Sequence, residues 1–321
     1  AACCAGGAQA PSRTYARFVR SYFQCEVRRE GEPVAWFGVD ANDCGYGECD
    51  LYNVDGIAYE SVILHGLAIL HRPNGGELKN NSIHLGFSRD GFHIARPTQP
   101  RTPFIATPKG VANSRGKRLR ISNLQLAQGS PIISGDKLLF YFGYGGKEEA
   151  PHGHSIDDGP VRSHYFEATG LATLRRDGFA SFSPHTGAVK GQLTTRTLVF
   201  GGGWLFVNVV LHPNGRLVVE VLDGSGKGSG SSGSGGSALP LCGYDWDSAG
   251  HVVGPVDSIR LKVPLWRNGA AIAALAGRRV RLRFHLVSGT LYSFWVSHTQ
   301  NGSSGGYLGG GAFGSRSIVD E

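Results

Sequence analysis

The 321-residue chain contains no methionine, and only 18% of its residues are charged, against about 25% in ordinary soluble domains. A chain without methionine at its start is expected to be processed or to belong to something longer. No unbroken run of about 18 apolar residues is present, so a helical membrane span is excluded. Heptads rich in Ala, Glu, Lys and Leu are missing, which removes a coiled coil. Glycine follows no three-residue period, which removes a collagen-like chain. No G-x-S-x-G stands between a strand and a helix, and no H-E-x-x-H occurs. Gly226-Lys227 is followed by Gly228 rather than Ser or Thr, inside a Ser/Gly spacer, so it is not a phosphate loop.

What is present is glycine (49 residues) and a full set of aromatics, with 16 Phe, 11 Tyr and 5 Trp. A disordered chain does not carry that aromatic load. The net charge is +7. Its densest run, Arg115, Lys117, Arg118 and Arg120, alternates with apolar residues as a strand with one wet face does. It lacks the interleaved aromatics or recognition helix of a nucleic-acid site, so no nucleic-acid partner is expected. Six cysteines, five of them before residue 50, fit disulfides in an oxidising compartment, with fifteen pairings open. Cys44 and Cys49 bracket a tight glycine-containing loop that a bridge could staple. Paired C-x2-C spacing is absent, which disfavours zinc. Sequons at Asn80 and Asn301 mark candidate glycosylation sites, and with the cysteines they point to an extracellular, secreted protein.

Along the chain, residues 1–13 read as a flexible arm. From 14 to 178, short apolar or alternating runs (61–70, 82–87, 129–133, 137–144) are separated by turn signals, which predicts an all-β fold. From 179 to 298 the strands continue at 195–200, 204–211, 216–222, 258–263, 278–286 and 290–297. His212-Pro213-Asn214-Gly215 reads as a hairpin turn between two of them. One or two helical turns are predicted at 270–275, ended by Gly277. Residues 224–237 are a Gly/Ser loop that cannot pack, and 299–321 form a Gly-rich tail.

Ser88-Arg89-Asp90-Gly91-Phe92 resembles the hairpin of a β-propeller blade. There the serine and aspartate brace the turn, the glycine takes a positive φ and the aromatic packs beneath, so Asp90 reads as structural. Together with segments 50–70, 129–146, 170–182 and 274–297, it makes the chain resemble a family of secreted, glycoside-hydrolase-like bacterial proteins of invertase or arabinanase type. The resemblance implies a five-bladed propeller joined to a jelly-roll-like β-sandwich. Residues 14–178 provide about three blades, so upstream blades or another chain are expected to complete the propeller.

In that family the funnel holds carboxylates, one acting as acid and another as base or nucleophile. By position Asp50 and Glu60 are the candidate catalytic pair, with turn capping and a solvated strand end as their structural alternatives. Tyr52, His152 and His154 are candidate glycan contacts. The histidines, with Asp157 and Asp158, could alternatively hold a metal or form a polar surface loop; no metal and no cofactor is expected. Trp295, in an alternating strand with Tyr292 and Phe294, is either core or a sugar-stacking platform. The expected function is an extracellular glycan-binding or structural protein with a carbohydrate partner, the alternative being an active glycoside hydrolase.

Overall fold

A computed structural model describes residues 36–44, 48–72, 80–96, 101–127, 129–148, 165–185, 190–225, 239–266 and 271–304. The all-β expectation holds. Strands dominate, the sheets are antiparallel and curled, and one closes into a half-barrel. The elements are α1 (Ala41–Cys44), β1 (Glu48–Tyr59), β2 (Val62–Arg72), β3 (Asn80–Ser88), β4 (Leu119–Leu126), β5 (Ile132–Ser134), β6 (Lys137–Glu148) and β7 (Tyr165–Arg175). They continue with β8 (Lys190–Thr194), β9 (Trp204–Asp223), β10 (His251–Val253), β11 (Val256–Lys262), a 3-10 turn (Ile272–Leu275) and β12 (Val280–Ser297). The turn falls where the helical signal lies, and Gly277 behind it has φ +75°. Among the described residues no helix is long and apolar enough to cross a membrane. The chain divides into two compact units, one on residues 36–132 and 139–173, the other on 133–138 and 174–304.

In the first unit, β1, β2 and β3 form an antiparallel meander. One face carries Leu51, Val54 and Leu67, covered by Phe37 and Val39. The other approaches β4 so closely that a Cβ on Gly66 would lie 2.5 Å from Leu126. That contact is why β2 reads Leu64-His65-Gly66-Leu67, with its smallest residue in an otherwise bulky run. β4, β6 and β5 form a second sheet, and β7 also pairs with β6.

The second unit is built on a single long ladder. β9 and β12 pair from Val280↔Asp223 to Ser297↔Trp204. In β12, Val280, Leu282, Phe284 and Leu286 are fully buried and alternate with the half-buried Arg281, Arg283 and His285. β9 supplies the matching Val207, Val209, Leu211, Leu217, Val219 and Val221 to the same core. Period-2 alternation thus gives β12 one apolar and one more polar face, while β9 is buried on both faces from Leu217 to Leu222.

Two strand assignments are corrected by this ladder. His212-Pro213-Asn214-Gly215 is not a hairpin turn. Residues 206–211 are flanked by β12 and β11, and residues 216–223 by β12 on one side and by β10 (at 216–218) and the 239–244 segment (at 221–223) on the other, so neither half has an edge left to pair with the other. Instead 212–215 bulge opposite Ser288 and the ladder turns a corner there, with Asn214 at φ +66° and Ser288 at φ +43°. The stretch 195–200 is not a strand either. The Thr195 hydroxyl takes the Leu282 backbone N–H at 3.0 Å, which ends the β8 ladder and leaves only an isolated bridge at Leu198.

The corner requires glycine. A Cβ on Gly215 would lie 2.5 Å from the Ser288 carbonyl oxygen, and one on Gly289 would lie 2.5 Å from that of Val210. Both obstacles are backbone atoms and cannot rotate away. Gly289→Ala is expected to destabilise the second unit by about 2 kcal/mol in urea unfolding. Gly143→Ala, where nothing lies within 4 Å, is expected to change stability by under about 1 kcal/mol.

Candidate functional site

The sequence-derived candidates do not converge. Asp50 lies within β1 rather than before it, buried and opposite Leu70. Glu60 occupies the two-residue turn between Tyr59 and Val62 with φ +49°. The two carboxylates therefore stand at opposite ends of one strand, about 30 Å apart at about 3.3 Å per residue. A hydrolase pair needs about 5–9.5 Å. Tyr52 is exposed at a ladder irregularity between Leu51 and Asn53. Asn53, Asp55 and Asn81 share the Asp50 face, and burial alone pushes the Asp55 carboxyl up. Asn81 aligns with Leu70 and Asp55 with Gly66, about 13 Å further along, so these groups form no single centre.

His152 and His154 lie outside the described residues. Trp295 stacks on Phe206 with ring centroids 5.6 Å apart and donates to the Gly302 carbonyl at 2.9 Å. Asn80 accepts from Thr107, and Ser82 of its sequon is buried against His84 at 2.9 Å. Asn301 is exposed in a turn, its Oδ1 accepting from the Thr299 hydroxyl and the Ser303 amide. In the 88–93 turn, Ser88 and Asp90 do brace the backbone and Gly91 has φ +77°. Phe92, however, is 65% exposed and does not pack beneath.

The opposite face of the meander holds a buried ionic cluster. Cys44 and Cys49 are disulfide-bonded with Cα atoms 5.0 Å apart, which ties α1 to β1. α1 thereby places Asp43 against Arg96, whose Nη1 donates at 2.7 Å, while Arg101 bridges to Asp40 at 2.8 Å. Burial pushes the Asp43 carboxyl up, but hydrogen bonds from Arg96 and the Asp40 amide, with the charges of Arg96 and Arg101, hold it below its usual range. Beside the cluster, burial pushes His84 down to about 4, helped by the positive charge of Arg96. Burial also lowers His71, against an opposing pull from Asp43. Every ion here is matched by a neighbour, so this face serves as a clasp.

The second unit presents a different kind of surface. The polar face of β8, β12, β9 and β10 is ordered in rows by register. Lys190, Val287, Arg216 and Val253 form one row; Gln192, His285, Val218 and His251 the next; Thr194, Arg283 and Glu220 a third. Val218 lies opposite both histidines, and Trp246 reaches over that row. Its ring centroid is 4.9 Å from His285 at 86° and 5.8 Å from His251. The loop that carries Trp246 is fixed at several points. Leu241 and Tyr244 exchange backbone hydrogen bonds with Val221. The Tyr244 hydroxyl donates to the Ala271 carbonyl at 2.9 Å. Asp245 accepts from the Ser248 amide, which lowers its carboxyl. Trp246 remains 40% exposed. Beneath, Glu220 has a side chain 6% exposed and accepts from His285 Nε2 at 2.6 Å and Arg283 Nη1 at 3.4 Å.

Part of this surface had a sequence signal. Arg281-x-Arg283-x-His285 and Lys190-x-Gln192-x-Thr194 alternate with apolar residues, which marks one wet face per strand. Nothing in the sequence joins the two strands, and Trp246 sits in a loop between Asp245 and Asp247 without periodicity. No protein-family model, no curated protein and no solved structure matches the chain.

The His84 environment fixes a pH dependence. The unfolded chain binds a proton at the ordinary histidine value of 6.5, and the folded one only near 4. Stability is therefore expected to fall as pH drops through that window, by about 3 kcal/mol for this group. Urea unfolding at pH 7.5 and 4.5 measures it, and His84→Gln is expected to flatten the dependence.

Proposed function

We propose that the protein is an extracellular carbohydrate-binding protein whose ligand lies on the polar face of the β8–β12–β9–β10 sheet. One observation carries this reading: Trp246, held by its loop and 40% exposed, lies beside Glu220, Arg283, His251 and His285 on a single face. A pyranose ring has an apolar C–H side and a rim of hydroxyls. A fixed indole offers the first an aromatic surface, and the surrounding charged and imidazole groups offer the second hydrogen-bond partners. The disulfide at Cys44–Cys49 fits an oxidising compartment. In this reading, residues 14–178 are part of a propeller and 179–298 a β-sandwich, the corner at 212–215 being where strands pass from one of its sheets to the other. Asp50 and Glu60 do not face each other, so binding is preferred over hydrolysis.

Affinity electrophoresis of the full chain through soluble polysaccharides tests the reading. Retardation by at least one polysaccharide is expected, and Trp246→Ala is expected to weaken it about tenfold, or 1.4 kcal/mol. Unchanged retardation in a folded Trp246→Ala protein would remove this face from the function.

A further inference from the structure

We infer that the sugar unit held on this face is uncharged and that one of its hydroxyls donates a hydrogen bond to His285 Nδ1. The inference rests on the carbohydrate reading above and names the group that reads the sugar. Its starting point is the fate of each hydrogen-bonding atom around Trp246. Glu220 has a side chain 6% exposed and accepts from His285 Nε2 at 2.6 Å and from Arg283 Nη1 at 3.4 Å. Arg281 donates from Nε to the Thr195 carbonyl at 2.9 Å. These charged groups of β9 and β12 are engaged within the protein, and what is left over beside the indole is neutral.

An ionised carboxylate accepts and cannot donate, so the proton in the Glu220 contact belongs to His285 Nε2. In the neutral ring that leaves Nδ1 as an acceptor with a fixed direction. Nδ1 makes no hydrogen bond among the described residues, is not sealed from solvent, and belongs to a side chain 22% exposed. Two more groups stand beside it. Gln192 of β8 is in register with His285 and exposed, and its carboxamide has no partner among the described residues. Side chains at such paired positions lie about 5 Å apart at Cβ. Trp246, its ring centroid 4.9 Å from His285, likewise donates from Nε1 to no described residue.

An imidazole acceptor selects what approaches it. A carboxylate or sulfate oxygen has no hydrogen to donate and meets the Nδ1 lone pair with its own. A sugar hydroxyl donates to Nδ1 and accepts from the indole N–H or the Gln192 amide. Lys190 and Arg216 are exposed one row away, opposite Val287, about 7 Å along the strands and outside this donor–acceptor set. Glu220 touches no ligand in this arrangement. It is a positioning residue that fixes which imidazole nitrogen is bare.

The test uses the full chain and two measurements. Affinity electrophoresis compares neutral dextran, galactomannan and xyloglucan with dextran sulfate and polygalacturonate. At least one neutral polysaccharide is expected to bind, its affinity changing less than about twofold as the screening length shrinks from about 10 Å at 0.1 M salt to about 3 Å at 1 M. His285→Phe keeps a ring against Trp246 and removes Nδ1. It is expected to weaken that binding about fivefold, the share of one hydrogen bond. Gln192→Ala, at an exposed position, is expected to weaken it about twofold. Nitrogen-15 NMR of the histidine side chains reads the same point in the unaltered protein. At about pH 8 the His285 ring is expected to carry its proton on Nε2 with Nδ1 bare. The Nδ1 resonance is expected to shift when an oligosaccharide of the bound polysaccharide is added. Tighter binding of either charged polymer than of every neutral one would overturn the inference and leave the carbohydrate reading standing. So would neutral binding of unchanged strength in a folded His285→Phe protein. Should that variant not fold, the NMR measurement decides: a proton on Nδ1, or an Nδ1 resonance unmoved by saturating oligosaccharide, overturns the assignment. Binding of none of the five polymers defeats the carbohydrate reading itself, and this inference with it.

Discussion

The second unit depends on one constraint, the antiparallel ladder between β9 and β12. Its apolar side holds the core, from Val280 and Leu282 to Val219 and Val221. Its polar side holds Glu220, Arg283 and His285. These are not two separate achievements of the chain. A strand with period 2 must send alternate residues to opposite faces, so the burial of Phe284 and Leu286 is what turns Arg283 and His285 outward. The face that carries Arg283 and His285 is the reverse of the core.

A buried carboxylate in each unit shows the same economy with different outcomes. Asp43 is enclosed by Arg96 and Arg101 and ties α1 to the segments that cross the meander. Breaking one partner of such a buried pair is far more costly than the pair is stabilising, so the cluster holds a conformation more than it adds stability. Glu220 is equally buried, but its partners His285 and Arg283 belong to a face that continues to solvent. There the carboxylate orients its neighbours, and the indole of Trp246 stands over the imidazole it fixes. Identical chemistry acts as a clasp under a covering segment and as a foundation under an open one.

The sequence was legible where local pattern decides and silent where pairing decides. Alternation in 280–297 and glycine turns at Asp90-Gly91 gave the all-β class. The Cys44–Cys49 loop was close enough to suggest its bridge. His212-Pro213-Asn214-Gly215 misled because turn chemistry specifies a local bend and not which edges are free; β10, β11 and β12 had already taken them. Asp50 and Glu60 were paired by their positions in the family pattern, yet a strand extends at about 3.3 Å per residue and keeps its ends apart. Trp246 could not have been found, because its partners His251 and His285 meet it through register and a loop held by backbone hydrogen bonds.

The corner at 212–215 bears on how this protein can change over time. A one-residue insertion within an uninterrupted ladder flips every side chain beyond it to the wrong face. At the corner, four residues of β9 stand against one of β12, so the alternation on its two sides is set independently. Length variation there is absorbed in an already irregular segment, and neither half of the sheet is turned inside out. The bulge uncouples the fate of the Lys190–Arg281 face from that of the strands beyond it, and leaves each half free to evolve its own surface.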